Sequence, residues 1–180
     1  MIDIIPDIHN KKSHSEQMQD SIEPIIHTDT IKEVILIGSD HRGYDLKVIL
    51  RKHLIDLQYD VMDVGTHNKD RCDYPDIAKM VGVEVLKYKG SLGILVCGTG
   101  IGISIAANKM EDIRCALCHD IQTAKMARQH NNANIIALGG RILNKEKAKE
   151  ILLAFIKEEF EGGRHQERLN KIKHMKNMFK

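Results

Sequence analysis

Leu95-Val96-Cys97-Gly98-Thr99-Gly100-Ile101-Gly102-Ile103-Ser104 runs from an apolar strand through three alternating glycines into a helix that ends near Lys109. The strand before the loop, Leu92 to Val96, is nearly continuous in apolar residues, as burial on both faces of a sheet requires. The same unit recurs on both sides. Upstream, Val34 to Ile37 is a strand run closed by Gly38, and Leu46, Ile49, Leu50, His53, Leu54 and Leu57 follow it at helical spacing. Val61 to Val64, closed by Gly65, predicts a second strand. Pro75 then opens a helix whose apolar stripe is Ile77, Ala78, Val81, Val85 and Leu86, and Gly90 breaks it. Downstream, Cys115 to Cys118 and Ile135 to Leu138 read as strands four and five, each followed by a helical stretch.

Five strand-helix alternations predict an α/β domain, a single Rossmann-like five-stranded parallel sheet with helices on both faces. Two strand orders compete, a half-Rossmann arrangement and the flavodoxin-like order 2-1-3-4-5, of which we adopt the second. Either one seats ligands beyond the carboxyl ends of the strands, near the switch point. In the adopted order the loops after strands 1 and 3 meet there. They are Gly38-Ser39-Asp40-His41 and Cys97 to Gly102, where the polar residues of the chain concentrate.

The 180 residues, 42% hydrophobic and 4% aromatic, suffice for one core of ordinary size. With 27 Lys+Arg against 25 Asp+Glu, the net charge of +2 is far from the one-sided basic field of a nucleic-acid coat. No Trp, 3 Phe and 4 Tyr leave few platforms for base stacking. Apolar runs stop well short of the roughly 18 residues of a membrane span. We therefore expect neither nucleic acid nor membrane as partner. Four Cys without a secretory signal point to a reducing, cytoplasmic compartment. Residues 1–31 hold two basic and six acidic side chains and no sustained period, which predicts a flexible acidic extension of charge −4 before a domain of residues 32–180.

The alternating glycines make a cradle for an anion, because they let backbone approach a ligand and the following helix start offers N–H groups. A dinucleotide fingerprint would need a glycine at position 103, which is Ile. Cys97, at a strand end, is a candidate nucleophile or proton-transfer base, or else one more buried packing thiol. Cys115 and Cys118 spell C-x-x-C but fall in a predicted strand, facing opposite sides, so they read as core rather than as a metal site. Cys72 lies in a turn and stays unassigned. Asp40 and His41 follow strand 1, where Asp40 either binds a ligand or caps the next helix. In Arg128-Gln129-His130-Asn131, His130 ends a helix and either acts chemically or complements its dipole. Gly139-Gly140-Arg141 sets Arg141 on the same rim as Cys97. Arg164 and Arg168, at i and i+4, share a helix face suited to a phosphate dianion, or form an ordinary solvated surface with Glu161 and Glu167.

Taken together, Gly38-Ser39-Asp40-His41, Asp73-Tyr74-Pro75, the thirteen residues from Cys97 to Lys109, Arg128-Gln129-His130-Asn131 and Gly162-Gly163-Arg164-His165-Gln166 resemble type B ribose-5-phosphate isomerases. The wider family includes subunits of galactose-6-phosphate isomerase. The similarity spans roughly Glu33 to Met175. One subgroup has a glutamate where Ile103 stands and lacks the cysteine, so this chain resembles the cysteine subgroup.

The resemblance implies an aldose-ketose isomerase that interconverts ribose 5-phosphate and ribulose 5-phosphate through an enediolate, with no cofactor. It implies Cys97 as the base and Thr99 as the shuttle between substrate oxygens. His130 would open the sugar ring with help from Asp40, and Tyr74 and Asn131 would hold hydroxyls. Backbone N–H groups of the stretch from Gly98 through Gly100, Ile101 and Gly102 to Ile103 would stabilise the oxyanion. His41, Arg141, Arg164 and Arg168 would clamp the phosphate. It implies a homodimer, or a dimer of dimers, with the active site shared between subunits and a C-terminal helix used in dimerisation. Leu169, Ile172, Met175, Met178 and Phe179 keep the helical spacing such a contact wants, or fold back on their own domain. An isomerase of a six-carbon phosphosugar, allose 6-phosphate or galactose 6-phosphate, is the alternative, followed by a non-catalytic phosphosugar-binding module. A receiver-type regulatory module would want an aspartate and a lysine where Cys97 and Gly139 stand.

Overall fold

The structure, a computed structural model, describes residues 34–175. The expected extension of residues 1–31 and the stripe residues Met178 and Phe179 lie outside the described residues. In chain order the elements are β1 (Val34–Ser39), α1 (Tyr44–Asp56), β2 (Asp60–Gly65), α2 (Tyr74–Lys87), β3 (Leu92–Cys97), α3 (Ile101–Ala107), β4 (Cys115–Leu117), α4 (Ile121–Asn131), β5 (Ile135–Gly139), α5 (Lys145–Lys157) and α6 (Arg164–Met175). The strand-helix alternation is the expected one.

All four strand pairings are parallel, and the order is β2-β1-β3-β5-β4. The five-stranded parallel class holds, but the last two strands are exchanged relative to the flavodoxin-like order. The reason lies in their composition. Every residue of β5 is buried, and an interior place, with a neighbour on each side and a helix layer on each face, suits such a strand. Only Cys115 to Leu117 pair in β4, and all three are half-buried, so this short strand takes the edge. Cys118 falls just outside it.

The exchange decides which face each helix covers. A right-handed crossover that changes direction along the sheet changes face. The step from β4 back to β5 therefore carries α4 to the side of α1. One layer packs Leu46, Leu50 and Leu54 of α1, Ala124 and Ala127 of α4, and Ile151, Leu152 and Phe155 of α5 against Ile35, Ile37, Ile94, Val96, Ile136 and Leu138. The other packs Ile77, Val81 and Val85 of α2 and Ile103 and Ala107 of α3 against Leu36, Leu95, Cys97, Ile135 and Ala137. Each fully buried Leu, Ile or Phe contributes about 1.5–3 kcal/mol relative to exposure. The α1 stripe differs in detail from its sequence reading. Leu57, beyond the end of the helix, is 45% exposed. Lys47 is buried instead, its ammonium 2.7 and 2.8 Å from the two carboxylate oxygens of Asp63 and 2.6 Å from the Thr66 carbonyl. That contact ties α1 to the end of β2 and to the loop that leads to α2.

Three strand ends are laced together on the carboxyl rim. The Asp40 N–H donates to the Val96 carbonyl at 3.1 Å, that of Gly140 to the Cys97 carbonyl at 2.8 Å, and that of Arg141 to the Gly98 carbonyl at 3.0 Å. The loops after β1, β3 and β5 thus form one connected surface.

Candidate active site

Cys97 closes β3, and its side chain is buried against the α2–α3 layer. The backbone N–H of Gly100 donates to its Sγ at 3.1 Å. This contact needs Gly100 at φ +80°, a left-handed conformation that favours glycine. Of the backbone donors expected to face substrate, that of Gly100 is therefore turned to the sulfur, and that of Ile101 donates to Thr99 Oγ1 at 3.3 Å. Thr99 itself is exposed at the tip of the loop. Ile103 is fully buried in the core, so only its backbone can serve the site.

Around the loop stand the residues expected after the other strands. Asp40 is 4% exposed, and its Oδ1 accepts from the N–H groups of Arg42 and Gly43, both at 2.9 Å. That oxygen therefore folds the turn before α1 rather than capping the helix, whose N-cap, Gly43, makes no side-chain cap hydrogen bond. His41 places Nδ1 3.0 Å from the Cys72 carbonyl. Tyr74, the first residue of α2, lays its ring over Gly102, where a methyl group would come within 2.7 Å of the ring. Asp40, His41, Arg42, Arg71, Cys72, Asp73 and Tyr74 line one cavity of about 370 Å³. Arg141 stands across the loop from it, and a methyl group on Gly98 would lie 3.5 Å from Arg42 Cδ and 3.9 Å from Arg141 Cδ.

Arg42 and Arg71 line the same cavity, and sequence reasoning did not single them out. A signal existed, since each adjoins a singled-out segment, Asp40-His41 in one case and Asp73-Tyr74-Pro75 in the other. Cys115 and Cys118 are inert: burial, chiefly, pushes their thiols up to about 12 and about 11.

The structure does not bring the remaining predicted residues to this rim. Helix α4 returns the chain from the carboxyl end of β4 to the amino end of β5, so it runs antiparallel to the strands. His130 and Asn131, in its last turn, therefore sit at the opposite edge of the sheet, one helix length or about 15 Å from where α4 began. There α6 joins them. The His165 ring, 6% exposed, stacks on His130 with centroids 4.3 Å apart and planes within 2°. Oε2 of Glu161 lies 3.8 Å from His130 Nε2 and 3.6 Å from His165 Nε2. The Glu161 N–H donates to the Gln129 carbonyl at 3.0 Å, which pins the segment to the end of α4. Arg164 and Arg168 are exposed on the same helix. Burial, then the charges of His130, Arg164 and Arg168, hold the His165 imidazole below its ordinary value, with Glu161 opposing.

The candidate residues thus fall into two groups on opposite rims of one chain. Cys97, Thr99, Asp40, His41, Tyr74 and Arg141 form one; His130, Asn131, Arg164 and Arg168 form the other. The residues expected to clamp a phosphate are divided between them. Leu169 and Ile172 of α6 border a groove of about 360 Å³ formed with Asn108 to Arg114 of their own domain, yet Ile172 and Met175 remain 55% and 53% exposed.

Comparison with known proteins bears on this arrangement. Residues 35–172 match the family described as Ribose/Galactose Isomerase. The chain is 44% identical over 138 residues to ribose-5-phosphate isomerase B of Escherichia coli, a match covering 77% of this chain and 93% of that one. The structure resembles that of Clostridium thermocellum ribose-5-phosphate isomerase B, with a TM-score of 0.79 and 44% identity over 82% of this chain and 99% of the other. It also resembles ribose-5-phosphate isomerase B of Mycoplasma genitalium with bound ribulose 5-phosphate, with a TM-score of 0.76 and 41% identity over 80% and 96% of the two chains.

Proposed function

The chain belongs to the ribose/galactose isomerase family, and from that premise we propose that it interconverts D-ribose 5-phosphate and D-ribulose 5-phosphate by proton transfer at one thiol. The observation that carries the reading is Cys97, whose sulfur is held at 3.1 Å by the Gly100 N–H in a glycine loop beside Asp40, His41 and Arg141.

The chemistry conserves every atom of the sugar. His130 protonates the ring oxygen of the furanose as the anomeric hydroxyl loses its proton, with Asp40 assisting, and the open-chain aldehyde forms. The Cys97 thiolate then removes the proton from C2, and the electron pair becomes the C1–C2 double bond of an enediolate whose charge rests on O1. The oxygens exchange a proton through Thr99, and Cys97 returns its proton to C1, leaving the ketone at C2. Both carbon transfers occur on one face, so one base suffices. Backbone donors and arginines arranged in advance act where charge develops, and His41 and Arg141 with Arg164 and Arg168 hold the phosphate as charge-assisted pairs. Tyr74 and Asn131 hold hydroxyls.

Since the two half-sites stand on opposite rims, one working centre combines the Cys97 half of one chain with the His130 half of a second. Ile101 and Ile105, exposed at 51% and 57% on α3 beside the cysteine loop, supply apolar surface for that contact. A homodimer with two shared sites, or a dimer of such dimers, follows.

A coupled isomerase assay offering ribose 5-phosphate, allose 6-phosphate and galactose 6-phosphate side by side tests the proposal. Ribose 5-phosphate should turn over fastest, and that activity should vanish in Cys97→Ala while a phosphate analogue still binds. Preference for a six-carbon sugar would move the assignment within the family. Near-normal turnover by Cys97→Ala would remove the thiol from the mechanism.

A further inference from the structure

We propose that His130, Glu161 and His165 form a binding site for a divalent transition-metal ion of the zinc type. Two imidazoles and a carboxylate are a donor set such ions take readily, with a fourth position left for water or a substrate oxygen. The three donor atoms converge: they lie within 4.8 Å of one another, and both Nε2 atoms face the same carboxylate oxygen, at 3.8 and 3.6 Å. Metal bonds of about 2.1 Å set donor atoms about 3.4 Å apart in a tetrahedron, so the nitrogen–oxygen separations need to close by only a few tenths of an ångström.

The freedom needed is present where it is needed. A shared ion must lie near the plane of each ring, which a parallel stack does not allow, so one ring turns. His165 is fixed by burial at 6% exposure. His130, 33% exposed in the last turn of α4, is the ring that turns, and the Glu161 side chain, 52% exposed, follows it. The charges facing the cluster are Arg164 and Arg168, which oppose a cation, and Glu161, which favours one.

Occupancy takes the Nε2 lone pair of His130, so that nitrogen can no longer carry a proton for the ring oxygen, and the ion is an inhibitor. This consequence rests on the isomerase reading, whereas the binding does not. The test is titration of the full-length protein with Zn²⁺ and Co²⁺ by calorimetry, with X-ray absorption at the bound metal. One ion per chain is expected, ligated by nitrogen and oxygen only. Glu161→Gln and His165→Asn should each weaken it at least tenfold, because loss of an outer-sphere partner alone costs about that much. Sulfur ligation, which would place the ion on the free cysteines, absence of uptake, or uptake unmoved by both substitutions would overturn the site. With binding established, Zn²⁺ should slow turnover of the cyclic sugar more than that of an open-chain analogue. Equal turnover with and without metal would leave the site standing and count against His130 as the ring-opening acid.

Discussion

The Gly100 N–H donates to Cys97 Sγ at 3.1 Å, so a thiol buried among apolar side chains is aimed by the backbone of the loop that follows it. The geometry depends on φ +80° at Gly100, and a methyl group there would lie 2.5 Å from Leu117 Cδ1 and 3.0 Å from the Leu138 carbonyl carbon. Gly100→Ala should destabilise the fold by about 2–4 kcal/mol, from left-handed strain of about 1–2 kcal/mol and overpacking of similar size. It should also cost more activity than stability, because the donor to sulfur moves. Urea denaturation beside turnover at a temperature where the variant remains folded measures both. Full turnover by the folded variant would detach the hydrogen bond from the chemistry.

The Tyr74 ring occupies the space that a methyl group on Gly102 would take, at 2.7 to 3.1 Å. The tyrosine is 40% exposed and free to swing outward, so Gly102→Ala should cost less than about 1 kcal/mol of stability, within the usual range for surface changes. Displacing Tyr74 removes a hydroxyl partner for the sugar, and the expected signature is a raised KM at nearly constant kcat. A change in kcat alone would argue against a binding role for Tyr74.

Most of the fold was legible because period and punctuation carry it: each strand run ends at a glycine or a polar turn, and the helices after β1 and β2 show their stripes. The order of β4 and β5 was not, since alternation alone does not say which strand is interior. The contrast that decides it is nevertheless in the residues, Ile135 to Gly139 against the short run at Cys115. Lys47 was invisible for another reason. A buried lysine leaves no mark on an apolar stripe, and its partner Asp63 appears only as a polar break in β2. The candidate residues Cys97, Asp40, His41 and Tyr74 stood out one by one, and the resemblance implied a site shared between subunits, but which residues fall on which rim was not legible, because rim assignment needs the direction in which α4 runs.

Lys47 is 1% exposed and satisfied by Asp63 and the Thr66 carbonyl. Lys47→Met leaves Asp63 partly buried with the Gly65 N–H on Oδ1 at 3.1 Å and, as cations, Arg51 at 3.7 Å and His67 at 3.9 Å. Breaking one side of a buried pair costs about 3–5 kcal/mol, and with Asp63 19% exposed the lower end, about 3 kcal/mol, is expected. The loop beyond Thr66 carries the Cys72 carbonyl against His41, so KM should rise as well. A chemical denaturation midpoint equal to that of the parent would show the pair to be neutral.

Thiolate, not thiol, reacts with alkylating reagents. Against an ordinary value of 9.0, Cys115 and Cys118 are raised to about 12 and about 11, burial being the main cause. At pH 8 their thiolate fractions are then lower by about three and two orders of magnitude than that of an ordinary thiol. Iodoacetamide followed by mass mapping should modify Cys72 in the folded protein well before either Cys118, which is buried, or Cys115, which is half-buried like Cys72 but carries a raised thiol. Labelling should appear at all four on unfolding. Rapid labelling of Cys115, half-buried against the core, would contradict its raised thiol.

The separation of the two half-sites makes a prediction that no single variant can test. Cys97→Ala disables one half-site and His130→Asn the other, so each protein alone should be nearly inactive on cyclic ribose 5-phosphate. If every centre joins the cysteine half of one chain to the histidine half of a second, a mixed dimer holds one doubly altered centre and one intact centre. Random reassociation of equal amounts makes half of the dimers mixed, so about a quarter of parental activity should return. Were both halves drawn from one chain, no combination of the two variants would contain an intact centre and mixing would restore nothing. The measurement is turnover after the two proteins are unfolded and refolded together, compared with the same proteins refolded apart and then combined. Recovery confined to the joint refolding would place the active site between chains, and its absence, with dimers present by mass, would overturn a centre shared between chains.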